Sequence, residues 1–138
     1  MYKYINKAWQ NNLKEKPEIM RERLIMCRKE PTMLRLERPS RIDRARRLGY
    51  KAKQGYIIVR IKVSKGGMRK SRPKSGRRPK HLGTVKIKAN VSSQEVAEKR
   101  VAKKHPNLKM LNSYYLFEDG KHTWYEVILV DTNHPSNQ

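Results

Sequence analysis

Positive charge is concentrated in one segment of this 138-residue chain, and that concentration limits what the chain can fold into. Residues 35–80 contain 18 lysines and arginines and two acidic residues, so they carry +16 of the formal net charge of +22. A compact fold with such a charge repels itself unless a polyanion supplies counter-charge. The charge pattern therefore disfavours an isolated enzyme that acts on neutral substrates, and it predicts a polyanionic partner.

The remaining composition excludes several classes of protein. Apolar residues make up 36% of the chain, against about 45–50% in soluble globular domains, so a core requires that they be concentrated. Their uninterrupted runs are far shorter than the about 20 residues that span a bilayer, and residues 1–7 lack the apolar stretch of a secretory signal. The single cysteine, Cys27, fits a reducing compartment. The four histidines are scattered, so we expect neither a metal site nor a cofactor.

Two helices are predicted within residues 1–30. The first has apolar residues at near-helical spacing, namely Tyr4, Ile5, Ala8, Trp9 and Leu13. The second begins at Pro17, which suits a first helical turn, and ends before Pro31. Its apolar stripe contains Ile19, Met20, Leu24 and Cys27. Packing between helices is the expected role of the large residues Trp9, Met20, Met26 and Cys27.

One strong strand signal lies inside the basic segment, at residues 56–63. Its apolar residues alternate with Arg60 and Lys62, which predicts one buried face and one polar face. Residues 44–55, ahead of it, contain two glycines and no apolar periodicity, so we assign no element there. Residues 64–80, behind it, combine glycine and proline with many basic residues and cannot bury enough apolar surface to order themselves. We expect them to form a solvated loop or to be ordered by a partner.

A globular pattern returns after residue 84. Residues 85–87 alternate Val and Ile with lysine, which predicts a short strand. The run from Ser92 to Glu95 matches a capping box, in which the serine hydroxyl and the glutamate satisfy free amides at a helix start. The helix is predicted to end near Lys104, before Pro106.

Two further strands are predicted at residues 108–117 and 122–131, and the Asp119-Gly120 pair between them is a hairpin signal. Apolar residues of the second strand point to both sides, which indicates burial of both faces. The whole pattern predicts an α+β fold in which an antiparallel sheet of about four strands packs with helices, together with N-terminal helices and a long basic extension.

No pattern in the sequence favours catalysis. Cys27 lies in an apolar stripe without a histidine near it in sequence, and Gly66-Gly67 lacks the spacing of a phosphate-binding loop. Lys104-His105 could serve a small basic ribonuclease as an acid/base pair, which is the enzyme alternative, but a helix end explains these residues better.

The basic segment has features that suit RNA. Arginine pairs with two phosphate oxygens at once, and Gly49 and Gly55 allow close approach of the backbone to a sugar-phosphate chain. Tyr50 and Tyr56 offer rings on which unpaired bases stack. An architectural DNA-binding protein is the alternative, but its densest charge usually lies on a helix or beside an apolar wedge. A merely solubilising surface or a membrane-surface site is less consistent with this charge pattern.

Four stretches of the chain are distinctive. The longest is RARRLGYKAKQGY at residues 44–56, followed by an Ile/Val/Arg strand and KGG at residues 65–67. The others are MYKYI at residues 1–5, LNSYY at 111–115 and YEVILVD at 125–131, with His134-Pro135 after it. Together they span nearly the whole chain, and they resemble an archaeal and eukaryotic family of large-subunit ribosomal proteins, the L15e family.

The resemblance implies a structural, cytoplasmic and ribosome-associated protein without enzymatic activity, whose partners are large-subunit ribosomal RNA and neighbouring ribosomal proteins. The sequence pattern divides the chain into an N-terminal helical segment (1–34), a basic RNA-binding arm (35–55), an α+β domain (56–131) interrupted by a basic loop (64–83), and a polar tail (132–138). The predicted RNA-binding residues are Arg38, Arg41, Arg44, Arg46, Arg47, Gly49, Tyr50, Lys51, Lys53, Gln54, Gly55, Arg60, Lys62, Lys65, Gly66, Gly67, Arg69, Lys70, Arg72, Arg77, Arg78 and Lys80.

Overall fold

A computed structural model describes residues 1–67, 70–84 and 90–137 of the chain. Its helices and strands follow one another as α1 (Tyr2–Glu15), α2 (Glu18–Lys29), β1 (Met33–Leu36), α3 (Ile42–Arg47), β2 (Tyr56–Ser64), α4 (Ser93–Lys104), β3 (Lys109–Glu118) and β4 (His122–Val130). The strands form one antiparallel sheet in the order β1-β2-β4-β3. The predicted α+β fold is confirmed.

Both faces of the sheet are covered by helices. One core layer joins Trp9, Met20, Cys27 and Ala45 of α1, α2 and α3 to Tyr114, Leu116, Phe117, Trp124 and Ile128 of the sheet. The other joins Ala97 and Val101 of α4 to Val59, Ile61, Val63, Tyr125, Val127 and Leu129. Since neighbouring residues of β4 enter opposite layers, the predicted burial of this strand on both sides is confirmed.

The predicted N-terminal helices are confirmed, but part of the predicted apolar stripe of each helix lies on its exposed side. Tyr4, Ile19 and Met26 are 76%, 69% and 67% exposed, so the expectation that Met26 packs between helices is wrong. The inner side of α1 carries Trp9 and Asn6, and the Asn6 carboxamide accepts a hydrogen bond from Arg41. A polar partner therefore fixes the rotation of α1, which apolar spacing alone does not reveal.

Helix α4 and the β3–β4 hairpin confirm their sequence signals. The Ser92 hydroxyl accepts from the Glu95 amide at 3.1 Å, which is the serine half of the predicted capping box, whereas the Glu95 carboxylate pairs with Lys99 at 2.6 Å. In the hairpin, the Asp119 carboxylate accepts from the backbone N–H groups of Lys121 and His122 at 2.7 and 2.6 Å and pairs with Arg28 of α2 at 2.9 Å. The hairpin turn is thereby tied to the N-terminal helices.

Among the described α-helices and strands, β1 and α3 were not predicted. β1 pairs with β2 at the edge of the sheet, with Met33 opposite Ile61. Four residues flanked by prolines give too short an alternation to be distinguished from a loop. The strand predicted at residues 85–87 lies outside the described residues.

Helix α3 corrects the expectation that residues 44–55 contain no element. It has six residues, and its buried side chains, Asp43 and Ala45, are too few to produce periodicity. Beyond it, the Gly49 amide donates to the Arg46 carbonyl at 3.3 Å and the Tyr50 amide to the Ala45 carbonyl at 3.0 Å. These two bonds form a Schellman motif, which places Gly49 in the left-handed region at φ +96°.

Candidate nucleic-acid interface

Arg60, one of the predicted RNA-binding residues, is the centre of a largely buried ion cluster. Its guanidinium donates to both carboxylate oxygens of Glu30 at 3.1 Å, to the Ser40 hydroxyl at 2.7 Å and to Glu126 at 3.4 Å. Glu126 is fully buried on β4, and it also accepts from the amide and hydroxyl of Ser40 and from the Tyr114 hydroxyl. Arg60 thus holds α2, the segment after β1, and the sheet together.

Titratable groups beside this cluster keep their protons. Burial, and then the charge of Glu126, raises the pKa of the Tyr114 phenol well above its ordinary value, so the hydroxyl remains a donor to Glu126. Burial also raises the pKa of the Cys27 thiol, with Glu30 acting in the same direction, and outweighs the opposite effects of Arg60 and Arg23. Cys27 is therefore a protonated, buried core residue rather than a nucleophile.

Arg41 and Lys62 also use their donors inside the protein. Arg41 is 7% exposed, donates to Asn6 at 2.9 Å and to Asp43 at 3.2 Å, and lies 5.3 Å from the centre of the Trp9 ring. The Lys62 ammonium donates to the Arg28 and Glu30 carbonyls at 3.1 and 2.6 Å, where it satisfies free groups at the C-terminal end of α2.

The remaining cations of α3 and the turn after it face solvent. Arg44, Arg47 and Lys51 are exposed, because α3 buries Asp43 and Ala45 on its other side. The exposed Arg46 guanidinium hydrogen-bonds to the Tyr2 hydroxyl, and the exposed Lys53 ammonium hydrogen-bonds to the Ser136 carbonyl. Arg38 and Gln54 are exposed as well.

The second glycine of the basic arm (35–55) lies where the arm meets strand β2. Gly55 has φ +85°, and its carbonyl accepts from the Asp131 amide at 2.8 Å. A Cβ at this position would collide with the Asn137 side chain. Tyr50 and Tyr56 are half-buried against the first core layer and meet edge to face, with 6.2 Å between ring centres.

The basic loop after β2 presents a second exposed set of cations. Lys65 pairs with Glu118 at 3.0 Å, and its amide donates to the Lys121 carbonyl at 2.8 Å, so the loop begins beside the hairpin. Gly66 and Gly67 follow it, both exposed. The other described basic residues of the predicted set are exposed too, namely Lys70, Arg72, Arg77, Arg78 and Lys80. Arg69 lies outside the described residues.

Charge is distributed unevenly over the rest of the chain. Residues 1–30 contain eight basic and four acidic residues, and residues 81–138 contain eight and six, so their net charges are +4 and +2. Exposed cations at α3, at the turn after it and in the loop after β2 therefore belong to the segment that carries +16 of the net charge of +22. A cationic surface of this kind suits phosphate groups as its ligands.

The described residues show two further absences. Nowhere in 1–67, 70–84 and 90–137 do three potential metal-ligating side chains gather into a group that could hold an ion. Within those same ranges, no helix has the length and apolar character needed to cross a membrane.

Sequence reasoning missed the internal roles of Arg41 and Arg60, whose partners lie far away along the chain, such as Asn6 and Glu126. It also missed α3, for which a signal exists: Gly49 follows a short run of helix-compatible residues, and the aromatic residue after it packs in the same layer as Ala45.

A comparison with protein families identifies the chain. The family model described as Ribosomal L15, the L15e family, matches residues 1–138, the full chain. This is a family of structural, non-enzymatic proteins of the large ribosomal subunit, associated with its RNA and its other proteins. The match agrees with the resemblance of the 44–56 motif and with the fold. The chain belongs to the ribosomal protein L15e family.

Proposed function

We propose that this protein stabilises large-subunit ribosomal RNA by neutralising phosphates with two exposed basic surfaces. The arm surface comprises the exposed cations of residues 38–53, and the loop surface comprises those of residues 65–80. The protein acts without turnover, in the cytoplasm, as part of the translating ribosome. The observation that carries the proposal is the exposure of Arg44, Arg47 and Lys51 on a face whose buried side anchors α3 to the core.

The structure favours some predicted contacts over others. Three of the predicted cations donate hydrogen bonds to other groups of the protein, namely Arg41, Arg60 and Lys62. We therefore assign them the role of shaping the arm rather than that of binding phosphate. Gly49, in its turn, lets the chain reverse direction at the end of α3, so that Lys51 and Lys53 follow the arginines on the arm surface.

Salt dependence of RNA binding tests the proposal. Each phosphate contact releases condensed counterions, so removing a contact lowers the slope of log affinity against log salt by about 0.7–0.9. The triple variant Arg44→Gln/Arg47→Gln/Lys51→Gln should therefore lower the slope by about two to three and weaken binding to ribosomal RNA fragments. Filter binding at several salt concentrations measures both quantities.

The matched control removes the same charge elsewhere. Arg100, Lys103 and Lys104 are exposed on α4, and their triple glutamine variant has the same net charge as the test variant. It should keep the wild-type slope and should co-sediment with large subunits after a moderate salt wash. Equal loss in both variants would show that net charge alone attracts RNA. Preference for duplex DNA over structured RNA, or cleavage of the RNA, would favour the architectural or the ribonuclease alternative instead.

A further inference from the structure

An open cleft of about 560 Å³ lies at the edge of the arm surface. Its walls come from the first turn of α1, the segment between β1 and α3, the first residue of α3, and the turn after α3. The residues that matter for its chemistry are Ile5, Arg38, Pro39, Ile42, Tyr50 and Ala52. The volume falls within the about 300–1,000 Å³ that is usual for small-molecule sites.

The walls of the cleft are held in place from behind. Ser40 is fixed by its amide and hydroxyl bonds to Glu126, at 3.1 and 2.6 Å. Tyr50 is fixed by the Schellman bond to Ala45 and by its edge-to-face contact with Tyr56. Ile5 and Ile42 nevertheless remain 36% exposed each, so the cleft offers apolar surface to solvent in the most basic region of the chain.

We infer that this cleft receives an unpaired nucleobase of the RNA, an inference that rests on the proposed function. A base has flat apolar faces that suit Ile42, Pro39 and the Tyr50 ring, and it is attached to a phosphate that suits Arg38. The exposed Arg44 and Arg47 continue the cationic surface on α3. Charge complementarity therefore selects a polyanion over an apolar segment of another protein.

The lining residues also determine which nucleobases the cleft can tell apart. The Ser40 hydroxyl and amide are used by Glu126, so Arg38 and the Tyr50 hydroxyl are the side-chain groups left to direct a hydrogen bond at a base edge among the described lining residues. The cleft therefore selects an unstacked base over a paired one, and it tolerates different bases. Bulged or loop nucleotides fit this requirement, because paired bases keep their faces stacked.

Filling the cleft gives a direct test. Ala52 is exposed, so Ala52→Trp occupies the cleft without disturbing the core, and Ala102→Trp adds the same side chain at an exposed position of α4. The probes are an RNA hairpin with one bulged adenosine, the same hairpin with an abasic bulge, and the fully paired hairpin. Stacking of one base corresponds to at least about fivefold in affinity.

The wild type and Ala102→Trp should bind the adenosine bulge at least about fivefold more tightly than the abasic and paired hairpins. Ala52→Trp should bind all three alike, with an unchanged salt slope, since its phosphate contacts remain. Equal wild-type affinity for adenosine and abasic bulges would overturn the inference and leave the cleft to a protein side chain. The comparison of the adenosine and abasic bulges is made with the wild-type protein alone. Absence of salt-dependent binding to any hairpin would instead contradict the proposed function.

Discussion

At the scale of single residues, the ion cluster around Arg60 shows why a basic residue in a basic protein need not face nucleic acid. Glu126 is fully buried on the central strand β4, where a cation and several hydrogen bonds offset the loss of water around its carboxylate. Arg60 supplies the cation, and Ser40 and Tyr114 supply further donors. The guanidinium is therefore committed to the interior.

Substitution of Arg60 by Met tests this role. Met retains much of the side-chain volume but leaves Glu126 and Glu30 without their common cation. Breaking one side of a buried ion pair lowers the free energy of unfolding by about 3–5 kcal/mol. Urea unfolding followed by circular dichroism measures the change. Arg100→Met, at an exposed position, should alter the free energy by less than about 0.5 kcal/mol, and similar values for both variants would contradict the assigned role.

At the scale of secondary-structure elements, the β3–β4 hairpin depends on one carboxylate. Burial alone would raise the pKa of Asp119, but the N–H groups of His122 and Lys121 and the Arg28 guanidinium together lower it below its ordinary value. A lowered pKa means that the folded state favours the ionised form. The hairpin turn and its tie to α2 are therefore sensitive to acid.

The stability that Asp119 contributes decreases in acid. The stabilisation by Asp119 is complete above the ordinary carboxyl pKa of about 3.9 and is lost as the pH falls through the lowered value. We expect Asp119→Asn to be less stable than the wild type at neutral pH, and the difference to shrink below about pH 4. Urea unfolding of both proteins at several pH values measures it. A difference that stays constant down to low pH would assign the effect to lost packing.

The elements also show how far the sequence predicts this fold. The N-terminal helices, β2, α4 and the hairpin were predicted, because each has a periodic or capping signal within its own residues. β1 and α3 were not, because a strand of four residues and a helix of six are stabilised by partners distant in sequence. The exposed sides of α1 and α2 were misjudged for the same reason.

The candidate interface was predicted unevenly. The solvent-facing positions of Arg44, Arg47 and Lys51 agree with the binding role proposed from the sequence, since a dense cationic run needs no long-range information to be noticed. The internal partners of Arg41 and Arg60, and the cleft beside Tyr50, arise when separate segments meet. No local pattern reveals them.

At the scale of the whole molecule, salt should act in opposite directions on folding and on RNA binding. The segment of net charge +16 repels itself in the free protein, and added salt screens that repulsion. The same salt weakens the release of counterions that drives RNA binding. We therefore expect the melting temperature of the free protein to rise between low and moderate potassium chloride, while the increase produced by added RNA declines.

Thermal unfolding with and without an RNA fragment, followed at several salt concentrations, measures both trends. The α4 triple glutamine variant is a useful reference, because its lower net charge reduces the salt effect on the free protein. A melting temperature of the free protein that falls with salt would show that its internal ion pairs outweigh the repulsion within the basic segment.

Strand β2 sets the distance between the arm and the loop. The arm enters it at Tyr56 and the loop leaves it at Ser64, and β1 and β4 pair with it on its two sides. Nine residues of strand put the two attachment points about 25 Å apart. The sheet thus forms a spacer of fixed length, and an RNA bound to both surfaces as proposed would have its two contact sites held at a separation that the protein sets.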